Sequence, residues 1–216
     1  MSKPLFISLD GIDGTGKTTQ LQRLAQWLRE QHVPVVTSAD PGGTLLGEEL
    51  RRLLLHRSDL SLTPVAEALL FMAARAQLVV EVIRPALSAG QCVLCDRFLL
   101  ANVVYQGYAG GLDPEELWRI GRWSASGVEP DLTLVLDLED VSLARRRKGR
   151  FPPGDRFEQR DEDYQRQLRD GFRREAQRLP QRIALVPADG DVEEVQRHLR
   201  KLLLPLFHTH GWNLTA

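Results

Sequence analysis

The chain has 216 residues, of which 43% are hydrophobic and 26% charged, and its formal net charge is -1. That is enough apolar material for one sizeable core, so a soluble globular protein of one domain is expected. The near-neutral balance gives no global field for nucleic acid or an anionic membrane, and no run approaches the roughly 18 apolar residues of a membrane span, so the expected location is cytoplasmic.

Along the chain, strands alternate with helices. PLFISLD (4–10) is an apolar, β-rich run, and the periodicity after it predicts a helix over 17–31 with Leu21, Leu24, Ala25 and Leu28 on one face. VPVVTS reads as a second strand and LLGEELRRLLLH as a helix. A long helical pattern then runs from Pro64 to about Ala89, with Thr63 as N-cap, Pro64 as first helical residue and Pro85 bending the last turns. A buried strand CVLCD follows, then a helical stretch through Tyr105, a helix in DPEELWRIGRWSAS and the strand DLTLVLDL. Beyond RRRKGRFPPGDR come a helix from about Phe157 to Leu179, the strand RIALVPAD and a final helix over 191–204. About five strands separated by helices imply an α/β fold: a parallel sheet covered on both faces. No internal repeat or interdomain linker is visible.

Cys92 and Cys95 have C-x-x-C spacing, but residues three apart on a strand point to opposite faces and no further Cys completes a metal site. They read as small buried hydrophobes. The histidines at 32, 56, 198, 208 and 210 form no H-E-x-x-H pattern, and His208 and His210 in the tail HTHGWNLTA read as solvated.

The chemistry starts at GIDGTGKTT, residues Gly11, Ile12, Asp13, Gly14, Thr15, Gly16, Lys17, Thr18 and Thr19. Gly11, Gly16, Lys17 and Thr18 satisfy G-x-x-x-x-G-K-[ST] between a predicted strand and a predicted helix, the context that a phosphate loop requires. The glycines let backbone N–H groups point at phosphate oxygens, Lys17 supplies a cation, and Thr18 offers a hydroxyl to Mg²⁺. Neither N-K-x-D nor D-x-x-G occurs in a context that suits a GTPase. Candidate acceptor elements sit instead at strand ends, where open parallel sheets bind ligands. Asp96 and Arg97 leave the strand CVLCD. Arg97 can grip a monophosphate, and Asp96 can accept a proton or hold a metal-bound water. If the segment after them is helical, Asn102 and Gln106 lie one turn apart, with Tyr105 beside them. In LLFMAARAQL, Phe71 and Arg75 share a helix face, an aromatic plate one turn from a planar donor fork, which suits a nucleobase.

In their order and spacing, LDGIDGTGKTT, DPGGT, LLFMAARAQL, CDRF followed by YQG, EPDLTLVLDL and DRFEQ resemble the thymidylate kinases, over most of the chain. The resemblance implies a three-layer P-loop fold and transfer of the γ-phosphate of ATP to dTMP, with Mg²⁺ and a homodimer. It implies that Phe71 stacks on thymine and Arg75 reads its O4. Arg97 would hold the acceptor phosphate, with Asn102, Tyr105 and Gln106 lining the site, and Asp13 would lie near the sugar 3′-hydroxyl and, with Thr18 and Asp96, near the metal. Members differ in whether an extra catalytic arginine sits in the loop or in a lid. Here Gly14 follows Asp13, so the lid, about 145–158, must supply it. Arg145, Arg146, Arg147, Lys148, Arg150 and Arg156 cluster there, and Arg147 takes the catalytic assignment. Asp155 and Glu158 of DRFE match the motif at the lid end and approach the acceptor. Where many members read R-E-P-G-G-T, this chain has Ala39 and Asp40. The competing readings are a kinase of another nucleoside monophosphate or a deoxynucleoside, and a nucleotide-binding regulator without kinase activity.

Overall fold

The computed structural model describes residues 2–57, 59–148 and 162–215, without the side chains of 145, 146 and 148. Among the described residues five strands form one parallel sheet: β1 (Phe6–Asp10), β2 (Val35–Ala39), β3 (Cys92–Asp96), β4 (Leu132–Asp137) and β5 (Ile183–Pro187). Their order is β2-β3-β1-β4-β5. β1 therefore has parallel neighbours on both edges and helices over both faces, and all five of its residues are buried. Such a position demands a mostly apolar strand without alternation, and polar Ser8 meets Thr133 Oγ1 there at 2.8 Å. The chain passes from one side of β1 to the other between β3 and β4, which puts a crevice at the C-terminal ends of these strands. β1, β2, β3 and β4 end there in Asp10, Ala39, Asp96 and Asp137.

α1 (Lys17–Glu30) begins directly after the glycine-rich loop and buries Leu21, Leu24, Ala25 and Leu28, as its periodicity predicts. α2 (Leu45–His56) is capped by Thr44, which accepts from Gly47 N. α3 (Pro64–Leu78) is capped by Thr63, with Pro64 in its first turn. The predicted long helix does not run unbroken. A π-helical turn, Val79–Ile83, separates α3 from α4 (Arg84–Ser88). Pro85 explains the break, because it lacks an N–H and its ring crowds the carbonyl four residues back; the ladder widens one turn earlier. α5 (Leu99–Asn102) likewise passes into π-helical Val103–Tyr108. α6 (Pro114–Ser124), α7 (Val141–Lys148), α8 (Glu162–Arg178) and α9 (Val192–Thr209) complete the layers. Buried Glu175 of α8 accepts from Tyr108 Oη (2.8 Å) and Trp118 Nε1 (3.0 Å), fastening α8 to the π-helical segment and α6.

Cys92 and Cys95 are buried free thiols. α9 outruns its expected end by five residues and continues through Pro205, held by fully buried Leu203 and Phe207. The tail packs back on the chain: His208, exposed as expected, and half-exposed His210 each bond a carbonyl, of Leu214 (3.0 Å) and Leu206 (2.8 Å). No helix among the described residues is long and apolar enough to cross a membrane. The start of the helix predicted near Phe157, with Arg150, Asp155, Arg156 and Glu158, lies outside the described residues.

Candidate active site

The strand ends open onto a cavity of about 800 Å³. The glycine-rich loop forms one end of it. Gly11 (φ 129) and Gly14 (φ 84) hold conformations that side chains disfavour. A Cβ on Gly11 would sit 2.5 Å from the Leu136 carbonyl oxygen, and one on Gly14 would strike the Ala144 backbone. An arginine at position 14 therefore has no room against α7. Gly16, also left-handed, precedes α1 and turns the helix N-terminus toward the cavity, where it favours anions. Ile12 and Thr15 are buried, and the Thr15 hydroxyl donates to Ile12 O at 2.9 Å, so their side chains shape the loop from beneath. Asp13, Gly14, Gly16, Lys17, Thr18 and Thr19 line the cavity itself.

Lys17 Nζ donates to the carbonyls of Gly11 (3.1 Å) and Ile12 (2.9 Å) and lies 3.5 Å from Asp13 Oδ1. Burial pushes its pKa down, Arg97 adds to the shift and Asp13 opposes it. Thr18 Oγ1 donates to Asp96 Oδ2 at 2.8 Å. This hydroxyl and carboxylate suit a hard divalent cation such as Mg²⁺, which uses few protein oxygens and completes its shell with phosphate and water. No three His, Cys, Asp or Glu side chains among the described residues make a metal site by themselves.

Arg97 stands at the end of β3 with φ 69, an unusual conformation for an arginine. Its guanidinium donates to Gly11 O (2.9 Å), to Tyr105 Oη (3.0 Å) and to Asp13. Tyr105 Oη in turn donates to Asp13 Oδ2 at 3.1 Å. Asp13 thus joins Lys17, Arg97 and Tyr105, and the cations that offset its charge inside the phosphate loop are identified.

At the far end of the cavity Phe71 is half-buried and Arg75 is 1% exposed. Arg75 Nε donates to Asp40 Oδ2 at 2.6 Å and Nη1 to Asn102 Oδ1 at 3.1 Å. No protein acceptor among the described residues takes its second amino group. Asn102 Nδ2 donates to Gln106 Oε1 at 2.7 Å, so the two amides meet as their spacing predicts.

Three residues in and around the site were missed by sequence reasoning, and Asp40, noted there only as a departure from R-E-P-G-G-T, supplies the carboxylate that holds Arg75. Glu67 accepts from Gln106 Nε2 at 2.7 Å. Arg51 of α2 donates to Pro41 O at 2.8 Å and lines the cavity, a cation close to the position where Ala39 has none. Asp10 is wholly buried, and neither carboxylate oxygen meets a hydrogen-bond donor among the described residues. Burial raises its pKa to about 7 against the pull of Arg97 and Lys17. Between about pH 4 and 7 the folded chain therefore holds a proton that the unfolded chain has released, and stability falls as pH rises through that window. Asp10→Asn is expected to flatten this slope and to stabilise the chain near pH 8 by on the order of 4 kcal/mol. Urea unfolding of both proteins from pH 4 to 8 checks it, and parallel slopes would contradict it.

Arg147 also lines the cavity. Its guanidinium donates to the carbonyls of Ala188 (2.9 Å), Asp189 (3.1 Å) and Gly190 (3.1 Å) in the loop after β5.

One cavity thus places a phosphate cradle at one end and a donor fork beside an aromatic ring at the other, joined by Arg97. That division defines a P-loop phosphotransferase. The family can be stated more closely: the thymidylate kinase family model matches residues 9–199, and the chain belongs to that family. It is 44% identical over 200 residues to a thymidylate kinase of Symbiobacterium thermophilum, covering 92% of each chain. To one from Pseudomonas putida it is 46% identical over 201 residues, 92% of this chain and 94% of the relative. Among solved structures, the thymidylate kinase of Ehrlichia chaffeensis superposes with a TM-score of 0.77 at 32% identity, over 93% of this chain and 98% of that one.

Proposed function

We infer that the chain transfers the γ-phosphate of ATP to dTMP, giving dTDP, as its family membership indicates. The observation that carries the residue-level reading is Arg97, whose guanidinium stands between the phosphate loop and Tyr105 and is tethered to both. In this reading the β- and γ-phosphates of ATP lie against Gly14, Gly16, Lys17, Thr18 and Thr19. Arg97 holds the acceptor phosphate so that one of its oxygens faces the γ-phosphorus in line. That oxygen forms the new P–O bond as the bond to the departing ADP oxygen breaks, and the protein mainly positions and neutralises. Lys17 follows the charge that shifts toward the β–γ bridge. Asp13 keeps Arg97 and Tyr105 in place and accepts from the acceptor sugar. Thr18 and Asp96 are the residues that would hold Mg²⁺, which when bound neutralises phosphate charge.

At the base end Phe71 offers its ring to thymine and the remaining donors of Arg75 face O4. Arg147, with Asp155 and Glu158 beyond the described residues, completes the lid at 145–158 of a single kinase domain. To act on the phosphates Arg147 would exchange its three carbonyl partners for phosphate oxygens. A cytoplasmic homodimer completes the proposal, and the exposed side chains of Leu45, Leu69, Val80 and Trp123 leave apolar surface for a second copy to cover.

The test is ADP release from ATP with dTMP, dUMP, dCMP, dGMP or thymidine as acceptor. dTMP should be preferred, and dCMP should be poor because its 4-amino group sets a donor against a donor. Preference for dCMP would remove Arg75 from its role, and ADP release without an acceptor would favour a nucleotide-hydrolysing regulator. Arg97→Ala is expected to cost roughly ten- to a hundredfold in kcat/KM for dTMP, the worth of a charge-assisted bond to phosphate. Unchanged dTMP kinetics in that variant would refute the assignment of Arg97.

A further inference from the structure

Five buried polar side chains form a string from α3 to the end of β2: Glu67, Gln106, Asn102, Arg75 and Asp40. Gln106 Nε2 donates to Glu67 Oε1 (2.7 Å), Asn102 Nδ2 to Gln106 Oε1 (2.7 Å), Arg75 Nη1 to Asn102 Oδ1 (3.1 Å) and Arg75 Nε to Asp40 Oδ2 (2.6 Å). The string has a sense. A carboxylate only accepts and a guanidinium only donates, whereas an amide does either according to which end it presents. With Glu67 at one terminus and Arg75 at the other, each amide between them satisfies both neighbours in one orientation alone. Turning either amide over sets N–H against N–H or oxygen against oxygen in a buried site, where an unmet polar group is expensive.

We propose that Glu67 is a positioning residue for selection of the acceptor base. Glu67 is not among the residues that line the cavity, so it acts through others. By fixing the Gln106 amide it fixes that of Asn102, and Asn102 Oδ1 then steadies the face of the guanidinium that Asp40 does not hold. The free donors of Arg75 are kept directed at a base carbonyl, which favours a 4-oxo over a 4-amino pyrimidine. Without Glu67 only Arg75 sets the sense of the string, so turning Gln106 and Asn102 over together costs less, and whenever they turn an N–H faces the Arg75 fork and displaces it. The proposal rests on the reading of this cavity as the dTMP site.

Steady-state kinetics of the wild type, Glu67→Ala and Glu67→Gln, with dTMP and dCMP varied at saturating ATP, test it. Glu67→Ala should raise the KM for dTMP roughly three- to thirtyfold and shrink the preference for dTMP over dCMP by a similar factor, leaving the KM for ATP alone. Glu67→Gln, whose carbonyl can still accept from Gln106, should restore most of both. A fall in kcat for both acceptors alike with the KM for dTMP unchanged would mark a merely structural role and overturn the proposal, as would kinetics identical to wild type. Absence of dTMP turnover by the wild type would instead overturn the functional reading, and the relay with it. If Glu67→Ala does not fold, ¹⁵N spectra of the side-chain amides decide. Slow solvent exchange at Asn102 and Gln106 in the wild type, with both signals displaced in Glu67→Gln, supports the string, and fast exchange at either amide overturns it.

Discussion

Lys17→Ala is expected to lower turnover at least about a hundredfold in a chain that still folds. The ammonium is 7% exposed and held across the loop by the Gly11 and Ile12 carbonyls, within reach of Asp13. Such a preorganised cation gains most as charge develops on the oxygens around the moving phosphoryl group, so its loss falls on kcat more than on the KM for either nucleotide. The fold should survive, because Asp13 keeps Arg97 and Tyr105 as partners when Lys17 is removed, and the desolvation that disfavours the Lys17 charge is relieved. Rates under saturating nucleotides, with unfolding curves alongside, check both halves. Near-normal turnover in a well-folded variant would defeat the kinase mechanism.

Asp40→Ala should be the most damaging change at the acceptor end. Arg75 and Asp40 form an ion pair with side-chain exposures of 2% and 0%, and removing one partner of such a pair leaves a buried charge uncompensated, at roughly 3–5 kcal/mol. Stability should fall by that order and the KM for dTMP should rise, since the fork loses the carboxylate that aims it. Asp40→Glu, the residue in the R-E-P-G-G-T form, keeps the charge and should lose far less. Denaturant titration together with dTMP kinetics distinguishes the two variants. An Asp40→Ala protein as stable as wild type would show that the pair is not what holds Arg75.

The phosphate loop was legible because its requirements are local: glycines at the left-handed positions, then a lysine and a threonine opening a helix. That Phe71 and Arg75 line one cavity, and that Asn102 meets Gln106, was legible because each pair lies four residues apart on a helical segment. Asp40 was not. It lies 35 residues from Arg75 on another element, and as a sequence it looked only like a glutamate shortened by one methylene. Glu67 and Arg51 were hidden among the ordinary charged residues of helices that the sequence placed correctly. The sheet followed from five apolar runs, but its order, and so the meeting of Asp10 with Lys17 and Arg97, depends on crossovers that periodicity does not encode. The π-helical turns escaped because widening a ladder by one residue changes no composition. Pro85 foretold a bend in the first, and nothing comparable marks the second. The continuation of α9 through Pro205 depends on burial of Leu203 and Phe207, a tertiary effect that outweighs the local cost of proline.

The central claim is direct transfer between two nucleotides held in one cavity. A single turnover with γ-labelled ATP, excess enzyme and dTMP tests it most directly. The account predicts that the label passes into the β-phosphate of dTDP, with ADP formed in equal amount, and that Arg97→Ala slows this transfer. Label released as inorganic phosphate at the same rate with or without dTMP would contradict it.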